Sequence, residues 1–460
     1  MRQIALLRSI LACGVVGCTL SALEAAEPQA NDAVAPASTG YEVGLAKVDI
    51  TPEYPIRLSG FSSRQTESEG VRQRIYARAM AVRTAGESAV LVTVDSIGIP
   101  LALRDEVAQR LQSKRKIANE RLAICSTHSH TAPSLNGVLP TMFGARLPEE
   151  HEKRIERYTR ELTDRIEQAA LAALDDLQPS RVSFSVGKVG FAINRRARGG
   201  PVDHDLPVLS VLAPDGKIRG LWVGYACHCV VLSDFKVSGD WAGCASDELE
   251  KQYSDSVALV SIGCGADANP DSGVTGDKGE VAQQYGAQIA AEVERLLRTN
   301  MTEIQGALQC TLQPITLPLA PLPSRDEWVE RSKIDGVYGY YARYQLARLD
   351  QGEKLPTEIS YPIQTWQFGQ SLAVVFLPGE VVVDYSLRLK KDFDASRLWI
   401  NAYANDAPAY IPSERILKEG GYEAGVAMHY YGLPAWFAPG LEARIIFAID
   451  GQLDDAFQAD

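Results

Sequence analysis

The sequence predicts an α/β protein in which a single large domain has a mixed β-sheet core flanked by helices. Apolar, β-branched runs alternate with segments of helical period along the chain, which is the pattern typical of this class. Glycine and proline are spread evenly after residue 40, so nothing there indicates a linker. A chain of 460 residues can bury a sizeable core, and we expect residues 41–460 to form one domain of catalytic size.

Each predicted element depends on its hydrophobic pattern. The predicted strands are apolar, β-branched runs, with bounds 42–50, 75–84, 89–94, 122–125, 181–193, 208–212, 220–226, 257–262, 308–319, 361–376 and 398–403. The predicted helices carry apolar residues at helical spacing and span 103–114, 149–177, 244–253, 279–299, 325–347, 381–393 and 440–454. Because helices are interspersed with strands, we expect them to cover a mixed sheet.

Composition and charge exclude several classes of protein. Hydrophobic residues make up 46% and charged residues 23% of the chain, which rules out wholesale disorder, collagen and coiled coil. The 46 basic residues are outnumbered by 58 acidic ones, for a net charge of -12. The basic residues are scattered rather than gathered into a stripe that could neutralise phosphates, so we expect no nucleic-acid partner.

The first 26 residues have the pattern of an export signal. Arg2 and Arg8 flank the start of an apolar run, 9–20, which is shorter than the ~20 residues that a membrane span needs. We expect a signal peptide over 1–26 that is cleaved, and no transmembrane span after its removal. The protein is therefore expected to be exported, either to a periplasm or out of the cell.

The segment that follows the signal is expected to lack structure of its own. Residues 27–40 consist of alanine, proline and polar residues without periodicity, which is typical of a flexible tether. Residues 15–18 read VVGC, which leaves open an alternative processing route with lipid attachment at Cys18.

Six further cysteines follow the tether. They could pair in an oxidising compartment, and sequence alone cannot distinguish their possible connectivities. We expect buried thiols or one disulfide rather than a metal-thiolate site, since no pair of cysteines has the C-x2-C spacing of structural zinc sites.

The strongest local signal is the segment ICSTHSHTAP at 124–133. A strand runs into a polar turn there, and residues two apart in an extended segment point to the same side, so His128 and His130 can enter one cleft. Neutral imidazole suits zinc, although an H-x-H pair alone is equally compatible with surface or core histidines. Among the six histidines of the chain, His228 is the best third partner because it ends the apolar segment 220–227.

A carboxylate and several tyrosines are further candidates. The segment LPGE ends a buried strand and is expected to deliver Glu380 at the first position of the following helix. The alternative for Glu380 is a helix N-terminal acid favoured by the helix dipole. Tyrosines at 403, 410 and 422 lie in irregular chain, where they could equally be packed aromatics with bonded hydroxyls.

Taken in order, these segments resemble the catalytic N-terminal domain of the neutral/alkaline, non-lysosomal ceramidases over most of residues 42–450. The matching segments are GLAKVDITP (44–52), IYARA (75–79), STHSH (126–130), NR (194–195, family N-R-S), YACH (225–228), SGD (238–240), LPGE (377–380), YIPS (410–413) and YEA (422–424). Several ordered motifs over this length are more specific than any one of them.

The resemblance implies a zinc-dependent amidohydrolase that cleaves an N-acyl amide bond of ceramide or a related sphingolipid, a lipid amide that the protein could meet at a membrane surface. The implied ligands of one Zn2+ per chain are His128, His228, Glu380 and Tyr410, with Tyr403 as the nearest competitor of Tyr410. Zinc would activate a water, and His130 would pass a proton to the departing amine. Tyr422 would donate to the developing oxyanion, and Arg195 would orient a polar part of the substrate.

The chain also departs from the family pattern. The loop 131–135 reads TAPSL where the family has glycines, and Asn269, a candidate substrate-binding residue, stands where a serine is expected. We also expect no Ig-like C-terminal domain. These departures leave open a zinc hydrolase of another secreted lipid or peptide-like amide, and a non-catalytic binding protein on the same scaffold.

Overall fold

The computed structural model describes residues 40–459, and its elements are numbered here in chain order. The strands are β1 Tyr41–Asp49, β2 Gly70–Val71, β3 Tyr76–Thr84, β4 Glu87–Val94, β5 Leu122–Ser126, β6 Gln178–Lys188, β7 Ala192–Asn194, β8 Asp205–Leu212, β9 Ile218–Tyr225, β10 Lys236–Val237, β11 Val257–Ile262, β12 Ala268–Pro270, β13 Thr302–Glu303, β14 Leu308–Pro318, β15 Glu358–Phe368, β16 Leu372–Phe376, β17 Glu380–Val381, β18 Leu398–Asn401 and β19 Tyr410–Ile411.

The helices are α1 Leu101–Arg115, α2 Glu149–Asp175, α3 Asp240–Gln252, α4 Gly279–Leu297, α5 Arg325–Ser332, α6 Gly336–Asp350, α7 Val383–Asp392, α8 Glu414–Glu419, α9 Met428–Tyr431 and α10 Leu441–Asp450. Short 3-10 turns lie at Asn119–Arg121 and Asp455–Phe457, and a single π-helical turn spans Tyr422–Val426.

Two mixed sheets form the core. The larger sheet has the strand order β11-β9-β8-β6-β1-β3-β4-β5, with β13 added beside β6. Its β4–β5 and β9–β11 pairs are parallel, whereas the pairs between them are antiparallel. The smaller sheet has the order β14-β15-β16-β18, in which only β16–β18 is parallel. The chain is therefore a mixed α/β protein.

The side chains of the strands alternate between two packing faces. Residues 80, 82, 89 and 91 of β3 and β4 face the smaller sheet, whereas 79, 81, 90 and 92 pack under α1 and α2. The same alternation places Trp222 of β9 against Trp399 of β18, with ring centroids 3.8 Å apart. Helices α3 and α4 cover β9 and β11, and α7 and α10 cover the outer face of the smaller sheet. The result is four layers, with the two sheets inside.

The two ends of the larger sheet come close together. The segment after β18 lies between them, since the N–H of Ala402 donates to the carbonyl of Ile262 at 2.8 Å and the N–H of Ser126 donates to the carbonyl of Tyr403 at 3.0 Å. The loops that follow β5 and β9 therefore meet, although these strands are far apart in the strand order. This closure brings distant parts of the chain to one place.

The predicted fold class is confirmed, but three of the predicted elements are each divided into two. The predicted strand 361–376 is a hairpin, β15 and β16, because Gly369 turns the chain with φ 52°. The predicted helix 325–347 is two helices, because the chain turns at Gly336 with φ 77° before α6 starts. The predicted strand 181–193 is also two strands, β6 and β7, and β7 pairs with β12 outside the large sheet. The sequence reasoning also did not foresee the second sheet.

The predicted signal peptide 1–26, Cys18 and nearly all of the tether 27–40 lie outside the described residues. In the part that is described, no helix combines the length and the apolar character needed to cross a membrane. The six cysteines after the tether are free thiols: Cys125, Cys227, Cys229 and Cys264 are buried, and Cys244 and Cys310 are partly buried.

Candidate active site

The candidate site lies where strands of both sheets end. His128 and His130 follow β5, and His228 follows β9. Glu380 lies in β17, after a turn at the end of β16, and is the register partner of Tyr410 in the parallel pair β17–β19. A site outside the carboxyl ends of strands is the usual arrangement in α/β proteins.

Two details of the predicted geometry are wrong. The segment is not extended at His128, which has φ 54°, so a sharp turn rather than strand alternation brings its ring to within 5.0 Å of the His130 ring. A residue with a Cβ at positive φ is strained, and such strain concentrates at functional sites. Glu380 is not the first residue of a helix either, since α7 begins only at Val383.

Backbone carbonyls fix the direction in which each imidazole points its free nitrogen. Nδ1 of His128 lies 2.7 Å from the carbonyl of Ile97, and Nδ1 of His228 lies 2.9 Å from that of Gly265. Because a carbonyl only accepts, each Nδ1 carries a hydrogen, and the Nε2 of the neutral ring presents a lone pair. Both Nε2 atoms are 3.1 Å from the same Oε2 of Glu380. Three electron-pair donors therefore meet at one point.

A bound cation would account for the close approach of these three atoms. Each Nε2–Oε2 contact requires either a proton or a metal ion between the two atoms. Burial, and next the positive charge of Arg195, lower the pKa of His228 to about 4, so protonation is unfavourable near neutral pH. Imidazole nitrogens plus a carboxylate suit zinc, and histidine ligands that donate through Nδ1 to carbonyls are typical of such sites. The residues present thus fit a divalent cation.

His130 extends the same cluster. Its Nδ1 lies 3.1 Å from the carbonyl of Gly60, and its Nε2 lies 3.3 Å from Nε2 of His128. The ligand atoms of His128, His130 and His228 are all within 4.8 Å of one another. His130 was expected beside the metal but not bound to it; its distance also makes it a possible third imidazole ligand.

Glu380 stays ionised in this environment. Burial opposes its ionisation, but His128 and His228 outweigh burial and hold the pKa of the Glu380 carboxyl well below its usual range. Burial, and next the two neighbouring imidazoles, also lower the pKa of His130 well below its ordinary value. The site therefore holds a carboxylate, and His130 and His228 stay neutral near pH 7.

The predicted ligand Tyr410, the predicted substrate-binding Arg195 and the predicted catalytic Tyr422 lie beside this cluster. The Tyr410 hydroxyl is 3.4 Å from Nε2 of His228 and accepts a hydrogen bond from Arg195 at 3.2 Å. Arg195 also donates to Glu423 at 2.8 Å. The ring of Tyr422 is 5.5 Å from that of Tyr410, and Tyr422 is 41% exposed at the rim.

Two further candidates, Tyr403 and Asn269, lie at different positions relative to the cluster. The ring of Tyr403 lies 4.5 Å from that of His128, and its buried hydroxyl has no hydrogen-bond partner among the described residues. It remains the competitor of Tyr410. Asn269 lies in β12 opposite Ile193 and is not one of the residues that line the cleft.

A cleft of about 920 Å³ leads to the cluster. One part of its lining is apolar and includes Phe61, Ile97, Leu139, Met142 and Val230. Another part is polar and includes Arg195, Arg196, Arg415, Glu419 and Glu423. The cleft can thus contact both an apolar chain and a polar group of one ligand.

Sequence reasoning missed three residues that support the site. The Tyr431 hydroxyl donates to Oε1 of Glu380, the second oxygen of that carboxylate. Arg64, which is 2% exposed, donates to the carbonyls of Ser59 and His130. Gly60 supplies the carbonyl that His130 contacts. No local pattern marks these residues, because their role depends on contacts between distant segments.

Comparisons with known proteins point to one family. The family model "Neutral/alkaline non-lysosomal ceramidase, N-terminal" matches residues 41–263, which include His128, His130, Arg195 and His228. A neutral ceramidase of Pseudomonas aeruginosa is 21% identical over 471 residues, which cover 85% of this chain and 69% of the relative.

Solved structures share the fold. The crystal structure of the neutral ceramidase from Pseudomonas aeruginosa has a TM-score of 0.70 at 20% identity and covers 92% of this chain and 76% of that chain. A structure of a ceramidase complexed with C2 has a TM-score of 0.69 at 18% identity, covering 92% and 77%. The chain therefore resembles the neutral/alkaline non-lysosomal ceramidases, whose N-terminal family model its residues 41–263 match.

Proposed function

We propose that the protein is a zinc-dependent amidohydrolase that cleaves the N-acyl amide bond of ceramide or a related sphingolipid. The observation that carries the proposal is the meeting of two imidazole nitrogens and one carboxylate oxygen, with both Nε2 atoms 3.1 Å from Oε2 of Glu380. We assign His128, His228 and Glu380 as ligands, with Tyr410 as the fourth. A zinc ion held there would act as a Lewis acid and lower the pKa of a water.

The protein's own groups supply proton transfer. His130 lines the cleft and is neutral near pH 7, because burial and its imidazole neighbours lower its pKa. A neutral imidazole can accept a proton from the attacking water and then deliver it to the departing amine. The Gly60 carbonyl fixes which nitrogen of His130 is available for this transfer.

Charge on the substrate carbonyl would be stabilised by a phenol. Partial burial and the nearby Glu380 raise the pKa of Tyr422, so its hydroxyl stays protonated and can donate. Arg195 is held by Glu423 and Tyr410, and its side chain still has 21% of its surface exposed. It is therefore available to a hydroxyl of the substrate.

The cleft supports a lipid amide. An acyl or sphingoid chain would lie against the apolar lining, and the hydroxylated part would face the arginines and glutamates. The relatives that the chain resembles are ceramidases, and the structure of one was solved in complex with C2. We extend that substrate class to this chain as part of the proposal.

We also propose that the protein is exported, which the pattern of residues 1–26 supports. Fractionation of cells that express the full chain should place the mature protein outside the cytoplasm, with a mass that lacks the predicted signal. Retention of the full-length chain in the cytoplasm would contradict export without affecting the proposed chemistry.

The test of the proposed function combines metal content with turnover. Native mass spectrometry should find one zinc ion per wild-type chain, and a fluorogenic ceramide should be hydrolysed. His128→Ala should lose both the metal and at least about 100-fold of the activity, since the cation supplies the Lewis acid.

His151→Ala is the matched control. His151 lies near the start of α2, its contact is Glu67 at 3.6 Å, and it does not line the cleft. This variant should keep the zinc and the activity. Equal activity in His128→Ala and wild type would refute the mechanism, and a zinc-loaded chain that cleaves other N-acyl amides but not ceramide would refute the substrate assignment.

A further inference from the structure

We propose that Arg196 is a positioning residue that clamps the glycine pair Gly420–Gly421 and thereby holds Tyr422 over the cleft. The role rests on the proposed hydrolysis, in which Tyr422 donates to the oxyanion. Residues 194–196 resemble the N-R-S element, and Arg196 occupies the position of its serine.

The glycine pair is a weak point in the backbone that carries Tyr422. It joins α8 to the π-helical turn Tyr422–Val426, with φ 72° and ψ -160° at Gly420 and φ 91° and ψ -156° at Gly421. This backbone region is accessible essentially only to glycine. A Cβ placed on Gly420 would meet no atom within 4 Å, and one placed on Gly421 would meet only the Arg196 guanidinium, at 3.6 Å, so Arg196 is the side chain that packs against the pair.

The Arg196 guanidinium bonds to acceptors on both sides of this pair. Its Nη2 donates to Oε2 of Glu419 and to the carbonyl of Gly420, both at 3.0 Å. Its Nη1 donates to Oε2 of Glu423, the residue after Tyr422. One planar group therefore fixes the chain before, at and after the glycines.

The hydrogen bonds of Asn194 fix the backbone that carries Arg196. The side-chain oxygen of Asn194 accepts the backbone N–H of Arg196 at 2.9 Å and that of Ala197 at 3.1 Å. The side-chain nitrogen of Asn194 donates to Pro201 and Asp267 in turn. Asn194 is 9% exposed, so these bonds are largely shielded from water. Arg196 is consequently held in place by the loop that carries it.

Glu423 couples the clamp to the centre of the site. Its two oxygens are divided between Arg195 and Arg196, and its side chain is 3% exposed. Arg195 in turn donates to the Tyr410 hydroxyl. Loss of Arg196 would therefore loosen Tyr422 and leave Glu423 with a single arginine, while the imidazole cluster keeps all its contacts.

The first experiment measures the clamp without using activity. Hydrogen–deuterium exchange is followed in peptides that cover residues 419–427 of wild type, Arg196→Gln and Arg196→Lys. We expect exchange at least tenfold faster in Arg196→Gln and an intermediate rate in Arg196→Lys, because lysine keeps the charge but not the planar fork. The matched control is Arg198→Gln, which removes an exposed arginine of the same loop outside the cleft lining and should leave exchange unchanged.

The second experiment measures kinetics on the zinc-loaded protein. Arg196→Gln should lower kcat about 10- to 100-fold with KM within threefold, because a displaced oxyanion donor costs transition-state stabilisation. Adding it to Tyr422→Phe should produce no further loss, since both changes remove the same donor. Zinc content should remain at the wild-type level.

Each result decides a separate question. Exchange in Arg196→Gln within twofold of wild type overturns the clamp, and so does a kcat loss that multiplies with that of Tyr422→Phe. A native chain that hydrolyses no amide refutes the proposed function, whereas the exchange measurement still tests the clamp by itself. Unfolding in urea with a wild-type midpoint establishes that Arg196→Gln is folded, and Arg196→Lys provides the same test if Arg196→Gln is not.

Discussion

Replacement of Gly60 by alanine tests whether the position of His130 matters. Gly60 has φ 89°, and a Cβ there would lie 2.5 Å from Cγ and Nδ1 of the His130 ring. Ordinary carbon contacts need about 3.5 Å, so the ring has to move by about 1 Å. A displacement of about 1 Å in a reacting group can cost about 100-fold in rate.

The stability cost of Gly60→Ala has two parts. Positive φ at a residue with a Cβ costs about 1–2 kcal/mol, and the overpacking against His130 adds about 1–3 kcal/mol. Gly86→Ala is the matched control, since Gly86 has φ 81° and a Cβ added to it would meet nothing within 4 Å. Gly86→Ala should therefore lose stability through the positive φ alone, without overpacking.

The assay pairs urea unfolding with kcat/KM on a fluorogenic ceramide. Gly60→Ala should lose about 100-fold in kcat/KM and Gly86→Ala less than twofold, although both are destabilised. A folded Gly60→Ala protein with wild-type kcat/KM would refute the assignment of proton transfer to His130.

Two further predictions concern groups that hold the site in place. Tyr431→Phe removes the hydroxyl that donates to Oε1 of Glu380 and should weaken zinc affinity about tenfold in a chelator competition, whereas Tyr430→Phe should not; equal zinc affinities in the two variants would contradict the role of Tyr431. Asp240 is fully buried, and burial raises the pKa of its carboxyl to about 6. Because the folded state holds this proton more tightly than the unfolded state, the carboxyl's contribution to stability is largely present at pH 4 and is lost by pH 7, by about 2 kcal/mol. The unfolding free energy of Asp240→Asn relative to wild type should rise by that amount over this range, and a constant difference would contradict the shift.

The sequence was informative where one local pattern determines one local structure. The apolar run of 257–262 is a strand with the predicted bounds, and the amphipathic 149–177 is a helix that ends two residues earlier than predicted. Predictions failed where a single glycine reverses the chain, as at Gly369, because an apolar hairpin and one long strand have nearly the same composition.

The site could be assembled only in part from the sequence. His128, His228, Glu380 and Tyr410 were assigned through a family resemblance, and the structure brings all four together. Their convergence depends on the approach of the two ends of the larger sheet, which no local pattern encodes.

Supporting residues were harder to find for the same reason. Tyr431 reaches Glu380 across 51 positions of the chain, and Arg64 reaches the carbonyl of His130 across 66. No regular spacing in the sequence predicts either contact. Gly60 could have been suspected only as a turn residue, since its carbonyl contact is invisible without the fold.

The donors of the candidate centre come from two different sheets, with the histidines after strands of the larger one and Glu380 after a strand of the smaller one. An ion bound there would be coordinated by residues of both sheets and would cross-link them. A folding intermediate with only the larger sheet formed would offer imidazoles without the carboxylate and would capture zinc weakly. Tight capture therefore follows docking of the sheets, and ion binding then opposes their separation by mass action.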